Sequence, residues 1–263
     1  MKRPVFLTVL GGALARASVL AAMVALATGV SGSAFAQSDA PGPLVRQPPG
    51  GQPAIGPGWR LLTLPKQKPP VTAYSAVLLD GRAALRIDAR ASYGNMAHAL
   101  TGPAPASVRW VWRVDQPNTA TQLNTKPGDD SPVKVCLSFD LPLQNVPFFE
   151  RELLRLARTR SPEPLPAATL CWVWGHAEAT GSVIRNPYTQ RVRYIVLRGQ
   201  GDATGRWVEE MRDVAADFRA AFGDESQTVP PATAVLISGD ADNTGAQSLA
   251  YVAGLEIIPA AGK

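Results

Sequence analysis

Asp240-Ala241-Asp242-Asn243-Thr244-Gly245 has the composition of the front half of a calcium-binding loop. A hard divalent cation takes several oxygen ligands, which Asp at the first and third positions and Thr at the fifth supply. Gly at the sixth lets the backbone turn sharply. The twelfth position is Tyr251, where a bidentate Glu completes such a loop, and a β-like run precedes it instead of a helix. The competing reading is an acidic β-turn whose Asp and Asn side chains bond their own backbone. Calcium is thus the one candidate cofactor, with Asp240, Asp242 and Thr244 as its ligands. Asp240, Asp242 and Asn243 are also candidate polar contacts for another ligand.

Gly128-Asp129-Asp130-Ser131 is a second acidic turn, set ahead of an apolar run. Two carboxylates brought close to those of the 240 loop would make a metal site or an acid/base pair; solvated turns are the alternative. Adjacent strand residues point oppositely, so the turn itself must bring Asp129 and Asp130 together. Four tryptophans, Trp110, Trp112, Trp172 and Trp174, are spaced two apart within their runs. A solvent-facing row of rings would stack on sugars, but the same spacing fills a sandwich core, and large aromatics are mostly buried. Trp174, beside Gly175 and His176 at a strand end, is the one expected near the surface and is a further ligand-binding candidate.

Catalytic signatures are missing. There is no G-x-S-x-G elbow, no H-E-x-x-H pair and no phosphate-binding glycine loop. His98 and His176 are the only histidines, which excludes a multi-histidine zinc site within one chain. No residue is nominated as catalytic.

The elements that must position these residues are mostly β. Short β-branched and aromatic runs bounded by Gly, Pro or Asp occur at 59–64, 74–79, 84–89, 96–100, 108–114, 133–139, 169–174, 192–197, 233–238 and 249–258. Asp80-Gly81 between two of them is a hairpin signal. So many short strands predict a two-sheet β-sandwich, jelly-roll-like, with two helical insertions. One insertion, Phe148–Arg160, places Phe149, Leu153 and Leu156 at i, i+4, i+7. The other, 207–222, lines up Trp207, Met211, Val214, Phe218, Ala221 and Phe222 and ends at Gly223.

If runs 108–114, 133–139, 169–174 and 191–197 are sheet neighbours, one face is aromatic and aliphatic, with Trp110, Trp112, Trp172, Trp174, Tyr194 and Val196. The other mixes Arg109, Arg113, Lys134, Arg191 and Arg193 with Cys136 and Cys171, as a solvated back or a shallow charged groove. The two cysteines then share a face, as a cross-strand disulfide requires. Two small buried thiols are the alternative.

Residues 1–36 read as a secretory signal peptide: Lys2 and Arg3, an apolar run too short to span a membrane, then Ala34-Phe35-Ala36. The protein is therefore expected in the periplasm or secreted, with no membrane span once the signal is removed. Lys2, Arg3 and Arg16 are the signal's only charges, and without them the net charge of +5 falls to +2. No basic run remains that would suit nucleic acid. Residues 37–57, rich in Pro and Gly, predict a flexible leader, and 58–259 a single domain.

Several pieces taken in order carry a resemblance. They are Gly58-Trp59, Trp112-Arg113-Val114-Asp115, Gly128-Asp129-Asp130-Ser131-Pro132, Cys171-Trp172-Val173-Trp174, the Trp207…Glu210…Arg212-Asp213-Val214…Asp217-Phe218…Phe222-Gly223 stretch and Asp240-x-Asp242-Asn243-Thr244. Together they resemble a family of exported bacterial proteins catalogued only as a domain of unknown function. The resemblance implies a β-sandwich like the jelly-roll carbohydrate-binding modules and brings no activity or catalytic residue. The expectation is a non-catalytic binding module for a saccharide or cell-envelope glycan. The alternatives are a metal-assisted hydrolase or lyase acting through Asp129, Asp130 and Asp240, and an envelope assembly protein docking through the arginine face.

Overall fold

The computed structural model describes residues 41–260 apart from 65, 162 and 164, so the signal peptide and the first leader residues lie outside the described residues. The chain runs β1 (Val45–Arg46), β2 (Ala54–Ile55), β3 (Arg60–Leu62), β4 (Ala73–Leu79), β5 (Arg82–Arg90), β6 (Asn95–Ala99), β7 (Ser107–Gln116) and β8 (Lys134–Phe139). Then come α1 (Phe148–Arg160), β9 (Ala168–Trp174), β10 (Val183–Arg185), β11 (Val192–Arg198), β12 (Val208–Asp213), α2 (Val214–Phe222), β13 (Ala232–Ser238) and β14 (Gln247–Ile258). Every expected strand is present. The Asp80-Gly81 hairpin forms as a two-residue turn with both φ positive, 51° and 74°, pairing Leu79 with Arg82.

Two sheets dominate. One has the order β12-β7-β14-β5-β4, the other β10-β11-β9-β8-β13-β6-β3, and β1-β2 form a separate small ribbon. Chain-adjacent strands alternate between the two at β3–β4, β5–β6, β6–β7, β7–β8, β11–β12, β12–β13 and β13–β14. The four tryptophans are buried between the sheets. Trp110 and Trp112 of β7 stand against Trp172 and Trp174 of β9, with ring centroids 5.3 Å and 5.7 Å apart. Two indole N–H groups find acceptors in this layer: Trp112 Nε1 donates to Glu210 at 3.2 Å and Trp172 Nε1 to Asp217 at 2.7 Å. Each carboxylate is in turn held by an arginine, Arg198 on Glu210 and Arg212 on Asp217.

Four details differ from the sequence reading, each for a tertiary reason. First, β7 lies in the opposite sheet to β8, β9 and β11, so the arginines do not form one face. Arg109 and Arg113 pair with Glu256 and Asp115, across and along the five-stranded sheet. Second, β11 is turned over: Ile195 and Leu197 join the main core, while Tyr194 and Val196 face the other side. Arg191 and Arg193 are buried, bonded to Glu225, with Arg193 also 2.5 Å from Asp224 and its guanidinium 4.3 Å from the Phe222 ring centroid.

Third, the stretch 207–222 is helical only from Val214. Val208–Asp213 instead pairs with the free edge of β7, and Asp213 caps α2 by accepting from Ala216 N at 2.9 Å. An edge seeking a strand outweighs the helical period here. Fourth, the segment read as a flexible leader carries β1 and β2, and Leu44 is buried in the core with Val45 and Ile55 packed on it. Three apolar side chains with a place to go give this Pro/Gly-rich segment the burial its composition conceals.

The second face of β8, β9 and β11 is neither a solvated back nor a groove. Leu123 packs on it, and Ile184 of the edge strand β10 extends it beside Tyr194, so that Cys136, Cys171, Val173, Tyr194 and Val196 are buried. Cys136 and Cys171 lie directly opposite in register, Cα atoms 4.0 Å apart, and form a disulfide.

Candidate functional site

Antiparallel pairing of β8 with β13 sets Lys134 opposite Ser238, so the acidic turn entering β8 and the acidic loop leaving β13 meet at one end of the sandwich. Gly239 makes the junction close enough: a Cβ there would stand 2.5 Å from Ile87 Cγ2 and 2.7 Å from Pro132 O. Thr72 Oγ1 donates to Gly239 O at 2.9 Å, and Asp240 N donates to Ser131 O at 3.0 Å. These bonds fix where Asp240 leaves the strand.

Each aspartate has a distinct role. Asp240 accepts from Ser131 N at 2.8 Å through Oδ1 and from Lys134 Nζ at 2.5 Å through Oδ2. Asp130 binds the opposing loop with both oxygens. Oδ1 accepts from Asn243 N and Nδ2 at 3.2 Å and 3.1 Å, and Oδ2 from Thr244 N and Oγ1 at 2.7 Å and 2.6 Å. Asp129 turns the other way and accepts from Tyr194 Oη at 2.8 Å and Asn186 Nδ2 at 2.5 Å. Asp242 Oδ1 is buried with no hydrogen-bond partner among the described residues.

Four carboxylates therefore gather near one ammonium. Burial works against the Lys134 charge, but the charges of Asp240 and Asp129 and the hydrogen bond to Asp240 outweigh it and raise its pKa well above the usual lysine value. Burial pushes the Asp129 carboxyl up to about 6, with Asp240's charge adding to it against the opposing pull of Lys134. Asp242 is likewise pushed up to about 6, by burial and then by the charges of Asp240 and Asp130. One oxygen from each of Asp130, Asp240 and Asp242 lies within 4.8 Å of the others, a spacing that suits a hard cation.

The structure brings Asp129, Asp130, Asp240, Asp242 and Asn243 together. Thr244 is there too, but its hydroxyl donates to Asp130 and accepts from Asn118 Nδ2 at 3.0 Å and Ala246 N at 3.3 Å, which fills its lone pairs. It fastens the loop to Asp130, which joins Asp240 and Asp242 in the carboxylate cluster. Trp174 is buried against Trp112, and only its backbone takes part, its carbonyl accepting from Ser131 Oγ at 2.8 Å. Strand-end position did not expose it because its ring points between the sheets and packs on Trp112 of the opposite one.

Sequence reasoning passed over Lys134, Asn186, Tyr194 and Tyr188. Lys134 had a signal, a lone charge opening an otherwise apolar run. Tyr188 is exposed and donates from Oη to Asn243 Oδ1 at 2.6 Å, with Lys126 O 3.1 Å from the same hydroxyl and Lys126 Nζ 5.4 Å from its ring centroid. Next to it a hollow of about 500 Å³ is lined by Gln122, Thr125, Pro127, Gly128, Asn243 and Thr244, with Ala120. No helix among the described residues is long and apolar enough to cross a membrane.

No curated protein matches the chain. A family model matches residues 57–256, the span that contains both acidic loops, the tryptophan core and the disulfide, and the chain belongs to that family, described as Protein of unknown function (DUF3047).

Proposed function

We propose that the protein is an exported, non-catalytic binding module whose site is the aspartate-rich end of the sandwich, with a cell-envelope saccharide as ligand. The observation that carries this reading is the hollow beside the cluster. Gln122 and Thr125 line it together with Asn243 and Thr244, whose own amide and hydroxyl are engaged within the cluster, and the exposed Tyr188 ring is tethered to Asn243. A sugar asks for this pairing, polar groups for its hydroxyls and a flat ring for its C–H face. The disulfide suits an oxidising compartment.

Calcium belongs to the same proposal. Four carboxylates against one ammonium leave unbalanced negative charge, and a cation bridging Asp130, Asp240 and Asp242 would give Asp242 Oδ1 the partner it lacks. A hydrolase or lyase reading draws on Asp129 and Asp242, whose pKa values near 6 suit acid/base work. Binding is preferred because both Asp129 oxygens are taken by Tyr194 and Asn186, out of reach of a substrate.

Thermal unfolding in EDTA, in excess calcium and with envelope glycans tests the reading, since a ligand of the folded state raises the midpoint. Calcium should raise it in the wild type and not in Asp242→Asn. A glycan should raise it in the wild type and not in Tyr188→Ala. A calcium shift that survives Asp242→Asn would clear the cluster of that role, and no shift with any glycan would remove saccharide as the ligand class.

A further inference from the structure

The apolar stripe of α1 is turned away from the protein. Its thirteen residues give a rod about 20 Å long seated on Leu154. Phe149, Leu153 and Leu156, one face at i, i+4, i+7, are 81%, 61% and 49% exposed, and Phe148 beside them is 61% exposed. The polar side faces the domain instead: Glu150 lies 3.5 Å from Arg191, and Arg158 Nε donates to Leu165 O at 2.8 Å. A helix packed on its own domain ordinarily buries its apolar stripe. Here that stripe is offered outward.

Charge selects what it meets. The helix carries Arg151, Arg155, Arg158 and Arg160 against Glu150 and Glu152. By the 100° step of an α-helix Arg160 closes the C-terminal end of the stripe and Glu152 borders it, paired to Arg155 at 2.7 Å, while Arg151 and Arg158 lie on the domain side, leaving the outward face net positive. We infer that α1 is a membrane-contact element that lies flat on an anionic lipid surface. Phe149, Leu153 and Leu156 enter the headgroup boundary while Arg155 and Arg160 meet lipid phosphates. A second copy docked through the same face would set two arginine-rich helices against each other, which like charge opposes. An anionic leaflet supplies negative charge above an apolar interior, the complement of this face.

The test is amide hydrogen exchange of Phe148–Arg160 in the full chain, with and without vesicles of phosphatidylcholine containing phosphatidylglycerol. Reading only these amides keeps the apolar N-terminal run out of the measurement. Exchange across α1 should slow on the anionic vesicles, less so at high salt and little on pure phosphatidylcholine. Phe149→Ser/Leu153→Ser and, separately, Arg155→Glu/Arg160→Glu should each raise the lipid concentration for half-protection about tenfold. Both pairs are largely exposed, so an unchanged thermal midpoint checks that the variants remain folded. Unchanged exchange on anionic vesicles would overturn the inference. So would protection that appears on raising protein concentration without lipid, which would make the stripe a protein interface.

Discussion

Lys134 and Asp240 form a buried ion pair, Nζ to Oδ2 2.5 Å, where the start of β8 meets the end of β13. Removing one partner strands the other in a dry site. Lys134→Met should therefore destabilise the domain by about 3–5 kcal/mol in urea unfolding. Lys134→Met/Asp240→Leu should cost less than the single change, since no lone charge is left. A double variant weaker than Lys134→Met would show that the pair is not what holds this junction.

Asp129 predicts a pH signature. Its folded pKa of about 6 lies above the value of about 4 for a free aspartate, so between these pH values the folded state binds more protons than the unfolded. Its contribution to stability accordingly falls as pH rises from about 4 to about 6. Asp129→Asn cannot ionise, and relative to wild type it should gain roughly 2 kcal/mol on going from pH 4 to pH 7, measured in EDTA. Parallel pH profiles for the two proteins would assign Asp129 an ordinary pKa.

Asp130 predicts a local effect. Its two oxygens take four donors from Asn243 and Thr244. Asp130→Ala leaves those donors without their acceptor, which should cost about 3 kcal/mol and speed amide exchange at Asn243 and Thr244. Thr244→Val removes one donor and one acceptor and should cost about 1 kcal/mol. Slow exchange at both amides in Asp130→Ala would mean the loop is held from elsewhere.

The disulfide joins residues 35 apart in sequence. Loop closure in the unfolded chain predicts that Cys136→Ser/Cys171→Ser lowers stability by about 3–4 kcal/mol. Equilibrium unfolding of the double variant against the oxidised wild type measures it. Equal stabilities would place the closure constraint elsewhere.

The strands and the acidic loops were legible because each leaves a local trace: period-two alternation, Asp-Gly turns and runs of oxygen-bearing residues. What stayed hidden depended on partners distant in sequence. Trp110 and Trp172 alternate identically whether they lie in one sheet or face each other across two. The period of 207–222 fits a helix throughout, and only the unpaired edge of β7 draws Val208–Asp213 into a strand, although Asp213 as a cap three residues before Ala216 was readable. At the site, Asp129, Asp130, Asp240, Asp242 and Asn243 could be named from their turns. Tyr194 and Tyr188 could not, because their roles come from strand register and from loops that cover the sheet, and Lys134 left only the trace of a lone charge opening an apolar run. Thr244 shows the converse: the right residue type in the right place, spent on fastening Asp130.

β14 runs down the middle of the five-stranded sheet, pairing with β5 on one side and β7 on the other, yet it follows both in the chain. During synthesis β5 and β7 therefore wait with bare edges until some 130 further residues have been made, the interval from Gln116 to Gln247. Half of the sandwich has no seam until then. A nascent chain of this design therefore keeps those edges unpaired through most of its translation and closes its five-stranded sheet last.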